Sequence, residues 1–516
     1  MRRAPPVHPL LFAIHPVLFA FAHNAEQVSW SEVALPAVVA MGGGMVLWAL
    51  LWVLYRDWRN AGVVASVFLF LFFSYGHVVD ILTRAGLWMR MRWSLLLWAG
   101  LLLIVAYAVK RRSRPLVSLT QVLNVVGLCL VGMSAVQLAA FELGGGRAAR
   151  AGNDGSEVDV ANPSLTGDLP DIYYIVLDQY PRADILEEVY DCDNTEFLDF
   201  LASRGFYVAS KSMANYPRTW LSLGSSLNME HLHELGERHG DGVVGYRQVV
   251  PRIRDNKVAR FLKAHGYTYI HFGSWWNPTM SNELAERNVN LYVLPEFAGL
   301  IYNKTMLSPV LWYFDIYDRR RLHWKRVLHK FEELAAIPDF NGPTYVFAHF
   351  LIPHKPFVFD SDGSFLTRSQ AQRRSRKENV RGQVLSLNTQ LRKLVDQLLE
   401  RSASPPIIIL QADEGPFPRD LAADYREASP RCLREKMCIL NAYHLPGFPA
   451  ERLYPAITPV NTFRLVFNHY FGTDYELLPD EAYVTPDGGS GKLYRVTDKL
   501  AQPAAAESDP ESSAQP

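Results

Sequence analysis

The chain has 516 residues, too many for one ordinary domain, so at least two regions with different tasks are expected. Lys plus Arg and Asp plus Glu stand at 52 each, a balance that offers no polycationic face and so argues against a nucleic-acid partner. Hydrophobic residues make up 49%, but nearly all the long apolar runs precede residue 142, which separates an apolar N-terminal region from a more polar remainder.

The apolar runs form five blocks, at about 8–23, 34–55, 61–83, 93–109 and 117–141. Four are long enough, or nearly so, to cross a hydrocarbon core of about 30 Å at about 1.5 Å per residue. The first is short and carries His15 and Pro16, which also suits a signal peptide; no small-residue cleavage site follows it and four more spans do, so it is counted as a membrane helix. Arg2 and Arg3, then Arg56 and Arg59, then Lys110, Arg111, Arg112 and Arg114 alternate with loops holding none (near 24–33) or three (Arg84, Arg90 and Arg92). The positive-inside rule then places the N-terminus in the cytoplasm, and five crossings place everything after 141 outside. The expectation is a multi-pass protein of a bacterial-type inner (plasma) membrane with a periplasmic or extracellular C-terminal domain. Within the spans charge is almost absent, which disfavours a transport pathway; the exception, Asp80, reads most simply as a wetted carboxylate near the outer interface.

Residues 143–169 are rich in Gly, Ala, Ser, Asn and Asp and read as a flexible linker, and 500–516 has the composition of a disordered tail. Between them, 170–499 alternates strand-like runs such as "DIYYIVLD" (171–178), "GFYVAS" (205–210), "YTYIHFGS" (267–274), "PTYVFAHF" (343–350) and "IIILQADEGP" (407–416) with helical stretches near 194–204 and 378–401. That pattern predicts an α/β domain with a mostly parallel central sheet covered on both faces, with ligands at the strand ends. Cys432 and Cys438, six apart, form either a small-loop disulfide or two buried thiols.

Three strand ends carry candidate chemistry: Asp178, His349 with His354, and Asp413 with Glu414. The Asp413–Glu414 pair at the mouth of a buried strand demands a positive partner. A fourth element, "NYPRTWLSLGSSLNM", puts Thr219 near a helix start, where free N–H groups favour an anionic oxygen. Oxygen ligands with one or two imidazoles suit Mn, Mg or Zn, with a hydroxyl as nucleophile. Each residue also has an ordinary structural role: Asp178 as a helix cap or turn residue, Thr219 as an N-cap, His349 in the core, His354 in a loop, Asp413–Glu414 as a solvated turn. Spacing alone leaves both readings open.

Five segments, "PDIYYIVLDQYPRADIL", "GFYVASKSMANYPRTWLSLGSSLNM", "FAHFLIPHKPFVFD", "IIILQADEGP" and "TPVNTFRLVFNHYFGTDYELLP", in this order over about 170–480, resemble the sulfatase-type domain of the alkaline phosphatase superfamily. Within it they look most like membrane-anchored relatives of lipoteichoic acid synthase and the phosphoethanolamine transferases. The resemblance implies metal ligation by Asp178, Thr219, Asp413 and Glu414, with Thr219 as nucleophile. It makes His354 a contact to the transferred or leaving group and gives His349 and Arg218 substrate-binding or supporting roles. The chain lacks the C/S-x-P-x-R frame of formylglycine sulfatases, which turns the expectation from sulfate-ester hydrolysis towards phosphoryl transfer. It also has Glu414 where the family has a His after the Asp, which shifts preference from Zn towards Mg, Mn or Ca. The implied activity is that of a metal-dependent phosphotransferase or ester hydrolase acting on an envelope lipid or glycan. The other class it leaves open is a non-catalytic domain binding an anionic glycan or lipid head group.

Overall fold

The structure is a computed structural model that describes residues 5–87, 91–112, 116–143, 169–238, 242–291, 294–314 and 316–502. Nearly all of the linker (144–168) and of the tail (503–516) read from composition lies outside the described residues. The chain divides into two compact units, one comprising Met1–Ala151 with Leu294–Asp318, the other Gly152–Val293 with Arg319–Pro516.

The first unit contains helices α1 (His8–His23), α2 (Trp30–Tyr55), α3 (Trp58–Arg84), α4 (Met91–Lys110) and α5 (Val117–Phe141), close to the five apolar blocks. The last four are long and apolar enough to span a membrane, with mean hydropathy between 1.8 and 2.1. The short α1 packs against α2, α3 and α5, with Ala13, Val17 and Phe21 fully buried. Small residues let it approach closely, since a Cβ on Gly44 would sit 2.9 Å from Ala13 Cβ and one on Gly127 2.8 Å from Leu11 Cβ. Its leading N–H groups, orphaned by helix geometry, are taken by Asn124 of α5, whose Oδ1 accepts from Val7 and His8 at 3.0 and 2.9 Å. Asp57 caps α3 by accepting from the Arg59 and Asn60 N–H groups, directly after Arg56 ends α2 in the left-handed region. Outward-facing Leu35, Val38, Leu50, Leu103, Ile104 and Val136 leave an apolar belt, the surface lipid would cover.

The second unit is built on a seven-stranded sheet: β1 (Ile172–Leu177), β2 (Tyr207–Val208), β3 (Thr268–Phe272), β4 (Arg287–Val289), β5 (Thr344–Phe350), β6 (Ile407–Gln411) and β7 (Asn441–His444). Their spatial order is β2-β7-β6-β1-β5-β3-β4. The central strands β6, β1, β5, β3 and β4 run parallel, and β7 and β2 pair antiparallel at one edge. Every residue of β1, β5 and β6 is buried, as continuous apolar runs covered on both faces require. Successive side chains alternate between two cores. Tyr173, Ile175 and Leu177 point to one, with the helix Arg376–Arg401; Ile172, Tyr174 and Val176 point to the other, with the helices Thr219–Ser226 and Pro459–Tyr470.

Cys432 and Cys438 are buried free thiols, so of the two readings the disulfide is the one not realised. Cys432 lies in the first turn of the helix Pro430–Met437 and Cys438 caps its other end. Six residues of helical rise, about 9 Å, exceed the Cα separation a disulfide can span.

Candidate metal and phosphoryl site

The pleat assembles the site. Val176 of β1 lies opposite His349 of β5 on one side and Gln411 of β6 on the other. Asp178 and Asp413 come two residues beyond Val176 and Gln411, so period-two alternation carries both acids and His349 to one face of one sheet edge. All three are buried, and each offers a ligand atom within 4.8 Å of the other two. Among the described residues this is the one such group of His, Cys, Asp and Glu side chains.

Three atoms there have no hydrogen-bond partner: Asp178 Oδ1, Asp413 Oδ2 and His349 Nε2. Buried orphans of this kind cost free energy unless something else meets them, and two carboxylate oxygens with one imidazole nitrogen form a donor set that suits a divalent cation. The charges act on one another as they stand. Burial, then Asp413 and Glu414, raise the Asp178 carboxyl well above its usual range; burial and Glu414 push Asp413 up to about 7. Burial holds the His349 imidazole well below its ordinary value, so it is neutral and can accept at Nε2.

The orientation of His349 is set from behind. Its Nδ1 lies 2.8 Å from Thr279 Oγ1, which lies 2.9 Å from Ser274 Oγ, and Ser274 donates to the Trp276 carbonyl. With Nδ1 protonated and donating to Thr279, each hydroxyl can pass its own hydrogen onward and Nε2 is left as the acceptor. Lys330 donates to the His349 carbonyl from the opposite face of the strand.

Thr219 opens the helix Thr219–Ser226, and its hydroxyl lies close enough to Asp413 to oppose, in part, the rise that burial imposes on that carboxyl. It is only half-buried, as a reacting hydroxyl has to be. Arg218, at the N-cap, donates through Nε to the Gly488 carbonyl at 2.9 Å and lies over the Phe417 and Tyr425 rings at 4.8 and 5.9 Å. His354 is tied to the site through its backbone, its N–H donating to the Asp178 carbonyl at 3.1 Å. Its Nδ1 is buried without a partner, and burial lowers the imidazole to about 4.

Glu414 takes a partner outside the Asp178–His349–Asp413 group. Its Oε1 pairs with Lys436 Nζ at 2.9 Å, both side chains being almost completely shielded, and accepts from Gln179 Nε2 at 3.1 Å. Lys436 also donates to the Gly415 carbonyl at 2.9 Å and stands 3.3 Å from the centre of the Phe417 ring. A protein cation thus supplies at least part of the positive charge that the Asp413–Glu414 pair demands. Gly415 is required here by closeness of approach: a Cβ would come within 2.2 Å of the Glu435 carbonyl oxygen.

Lys436, Gln179 and Thr279 escape sequence reading. Gln179 adopts φ of 66°, costing about 1–3 kcal/mol for a residue with a side chain, and so turns its N–H to Asp413 Oδ1 at 3.2 Å while its amide reaches Glu414. Its position directly after the strand-terminal Asp178 was the available signal. Nothing local marks Lys436 or Thr279, which lie in stretches remote in sequence.

No protein-family model and no curated protein sequence matches the chain. Among solved structures, the C-terminal periplasmic domain of EcEptC from Escherichia coli is similar with a TM-score of 0.43 at 11% identity, over 66% of this chain and 95% of that one. The integral membrane lipooligosaccharide phosphoethanolamine transferase A from Neisseria meningitidis is similar at 0.38 and 13%, over 85% and 88%. A protein in the alkaline phosphatase superfamily from Vibrio parahaemolyticus is similar at 0.39 and 11%, over 63% and 75%.

Proposed function

We propose that the chain is a membrane-anchored, metal-dependent phosphotransferase or phosphodiesterase whose second unit works on an envelope lipid or glycan outside the cytoplasmic membrane. The observation that carries this reading is the convergence of three unpartnered buried ligand atoms, from Asp178, His349 and Asp413, beside a hydroxyl at a helix N-terminus.

Asp178 Oδ1, His349 Nε2 and Asp413 Oδ2 would hold the cation, Zn or Mn by their donor set. When bound, it supplies Lewis-acid charge that favours the ionised form of a nearby hydroxyl and stabilises phosphoryl oxygens. The protein's own groups do the rest. Asp413, beside Thr219, would accept the hydroxyl proton as Thr219 attacks and pass it to the leaving oxygen. The free N–H groups at the start of Thr219–Ser226, with Arg218 beside them, favour the anionic oxygens of a phosphoryl group. Thr219 Oγ forms a bond to phosphorus as the bond to the donor's alcohol oxygen breaks; the alcohol departs with the proton Thr219 gives up, and the phosphoryl group, with any second ester substituent, stays on Thr219. An acceptor alcohol or water then takes the phosphoryl group and Thr219 recovers a proton. His354, neutral at physiological pH, serves better as a hydrogen-bond partner of the donor's oxygen than as a strong acid. Glu414, held by Lys436, keeps negative charge next to the ligands without itself ligating.

The test is turnover of phosphodiester and sulfate-ester reporters by the purified full-length protein, with metal analysis alongside. Thr219→Ala should abolish turnover and the covalent phosphoryl adduct seen by mass spectrometry while leaving metal content unchanged. An active Thr219→Ala protein would sink the assignment of the nucleophile; wild-type protein with neither metal nor turnover would point instead to a binding domain.

A further inference from the structure

Leu294–Asp318 lies within the stretch read as the outer domain, yet it belongs structurally to the unit of apolar helices. Its helix Glu296–Lys304 crosses one end of the bundle. Phe297 packs with Phe21, Ala25, Val33 and Leu138, from the end of α1, the start of α2 and the end of α5. Lys304 then pairs with Asp80, so the apparently wetted acid of α3 has a specific partner. The backbone comes so close to α3 that a Cβ on Gly76 would sit 2.6 Å from Lys304 Cα. The Met306 N–H donates to the Phe72 carbonyl at 3.0 Å, and its side chain packs against Leu71, Tyr75 and Trp98. Phe72 is twelve residues short of the end of α3 at Arg84, about 18 Å down the helix at about 1.5 Å per residue. The segment therefore reaches well below the rim of the bundle.

Beyond Met306 the described residues are covered by protein only in part. None of the helix Leu307–Tyr313 is buried, and Trp312, Tyr313, Phe314 and Ile316 are 53, 69, 65 and 67% exposed. No charged residue occurs between Lys304 and Asp315. The helices α3 and α4, against whose Leu71, Tyr75 and Trp98 Met306 packs, themselves carry exposed Phe70, Ile81, Leu97 and Leu101. In water such a patch would be costly; next to spanning helices the same lipid that covers them would cover it. Trp and Tyr at its end are the side chains that favour a membrane–water interface.

We propose that Leu294–Asp318 is a second membrane attachment of the outer domain, its Trp312, Tyr313, Phe314 and Ile316 side chains in contact with lipid at the Arg84 end of the bundle, the outer leaflet by the loop charges. This inference does not depend on the catalytic reading. It is tested on the full chain in nanodiscs of phosphatidylethanolamine and phosphatidylglycerol, with Phe314→Cys spin-labelled in a Cys129→Ala background, the other three cysteines being buried. Power saturation with oxygen and with a water-soluble nickel chelate should give a label favouring oxygen several-fold, like one at Leu101→Cys and unlike one at Tyr494→Cys. A label open to nickel as Tyr494→Cys is would overturn the proposal, as would one shielded from both reagents, which would mean protein cover. Tyr313→Cys, measured the same way, guards against failure of one variant to fold.

Discussion

Glu414 and Lys436 face each other at 2.9 Å with side-chain exposures of 3 and 0%, a buried ion pair at the end of the central strand β6. Its members hold their place through Gln179, the Gly415 carbonyl and the Phe417 ring. Removing one partner of such a pair strands the other charge. Lys436→Met should therefore cost about 3–5 kcal/mol of stability, and adding Glu414→Gln should restore a large part of it. Thermal unfolding of the single and double variants checks this; a double variant no better than the single would show that the charges do not depend on each other.

Thr279→Val should leave the fold intact and weaken metal binding by about 10–100-fold, because it removes the group that fixes the His349 tautomer. Thr279→Ser, which keeps the hydroxyl, should bind nearly as well as wild type. Competition with a chromogenic chelator reads both, and equal affinity of the Val and Ser variants would show that the hydroxyl is not the orienting group.

Metal and protons should compete at Asp413. Its folded-state value, about 7, lies above the ordinary carboxylate value of about 4 that it regains on unfolding. A raised carboxyl makes the metal-free fold less stable as pH rises from about 4 to about 7, and the loss is reversed as pH falls. A cation binds the deprotonated form, so Zn or Mn should raise the unfolding midpoint more at pH 8 than at pH 5, and chelator should hurt more at pH 8. Unfolding scans at the two pH values, with metal and with chelator, measure it; equal metal stabilisation at both would count against Asp413 as a ligand.

Gly415→Ala should destabilise by more than about 1 kcal/mol, the Glu435 carbonyl being backbone and unable to retreat cheaply. It should also loosen the Lys436–Gly415 link beside the site. Unfolding midpoints against wild type decide it, and no change would mean the strand end shifts freely.

Periodicity and apolar content alone carried the five helices of the first unit and the parallel sheet, because both are imposed by burial: α2 to α5 by length and hydropathy, β1, β5 and β6 by unbroken apolar runs. The strand-end placement of Asp178, His349 and Asp413 was equally legible, since position along a strand and side-chain alternation are both local. Which of the acids meet in space was not. Asp413 and Glu414 are adjacent in sequence, yet the pleat sends one to His349 and the other to Lys436, a residue more than twenty positions away that no local pattern marks. The same holds for Leu294–Asp318, whose composition fits either unit until Gly76 and Phe72 of α3 are seen against it. Composition and period determine which residues must leave water and at what spacing they recur; only the three-dimensional packing decides which charges and polar atoms then become neighbours, because those contacts join stretches far apart along the chain.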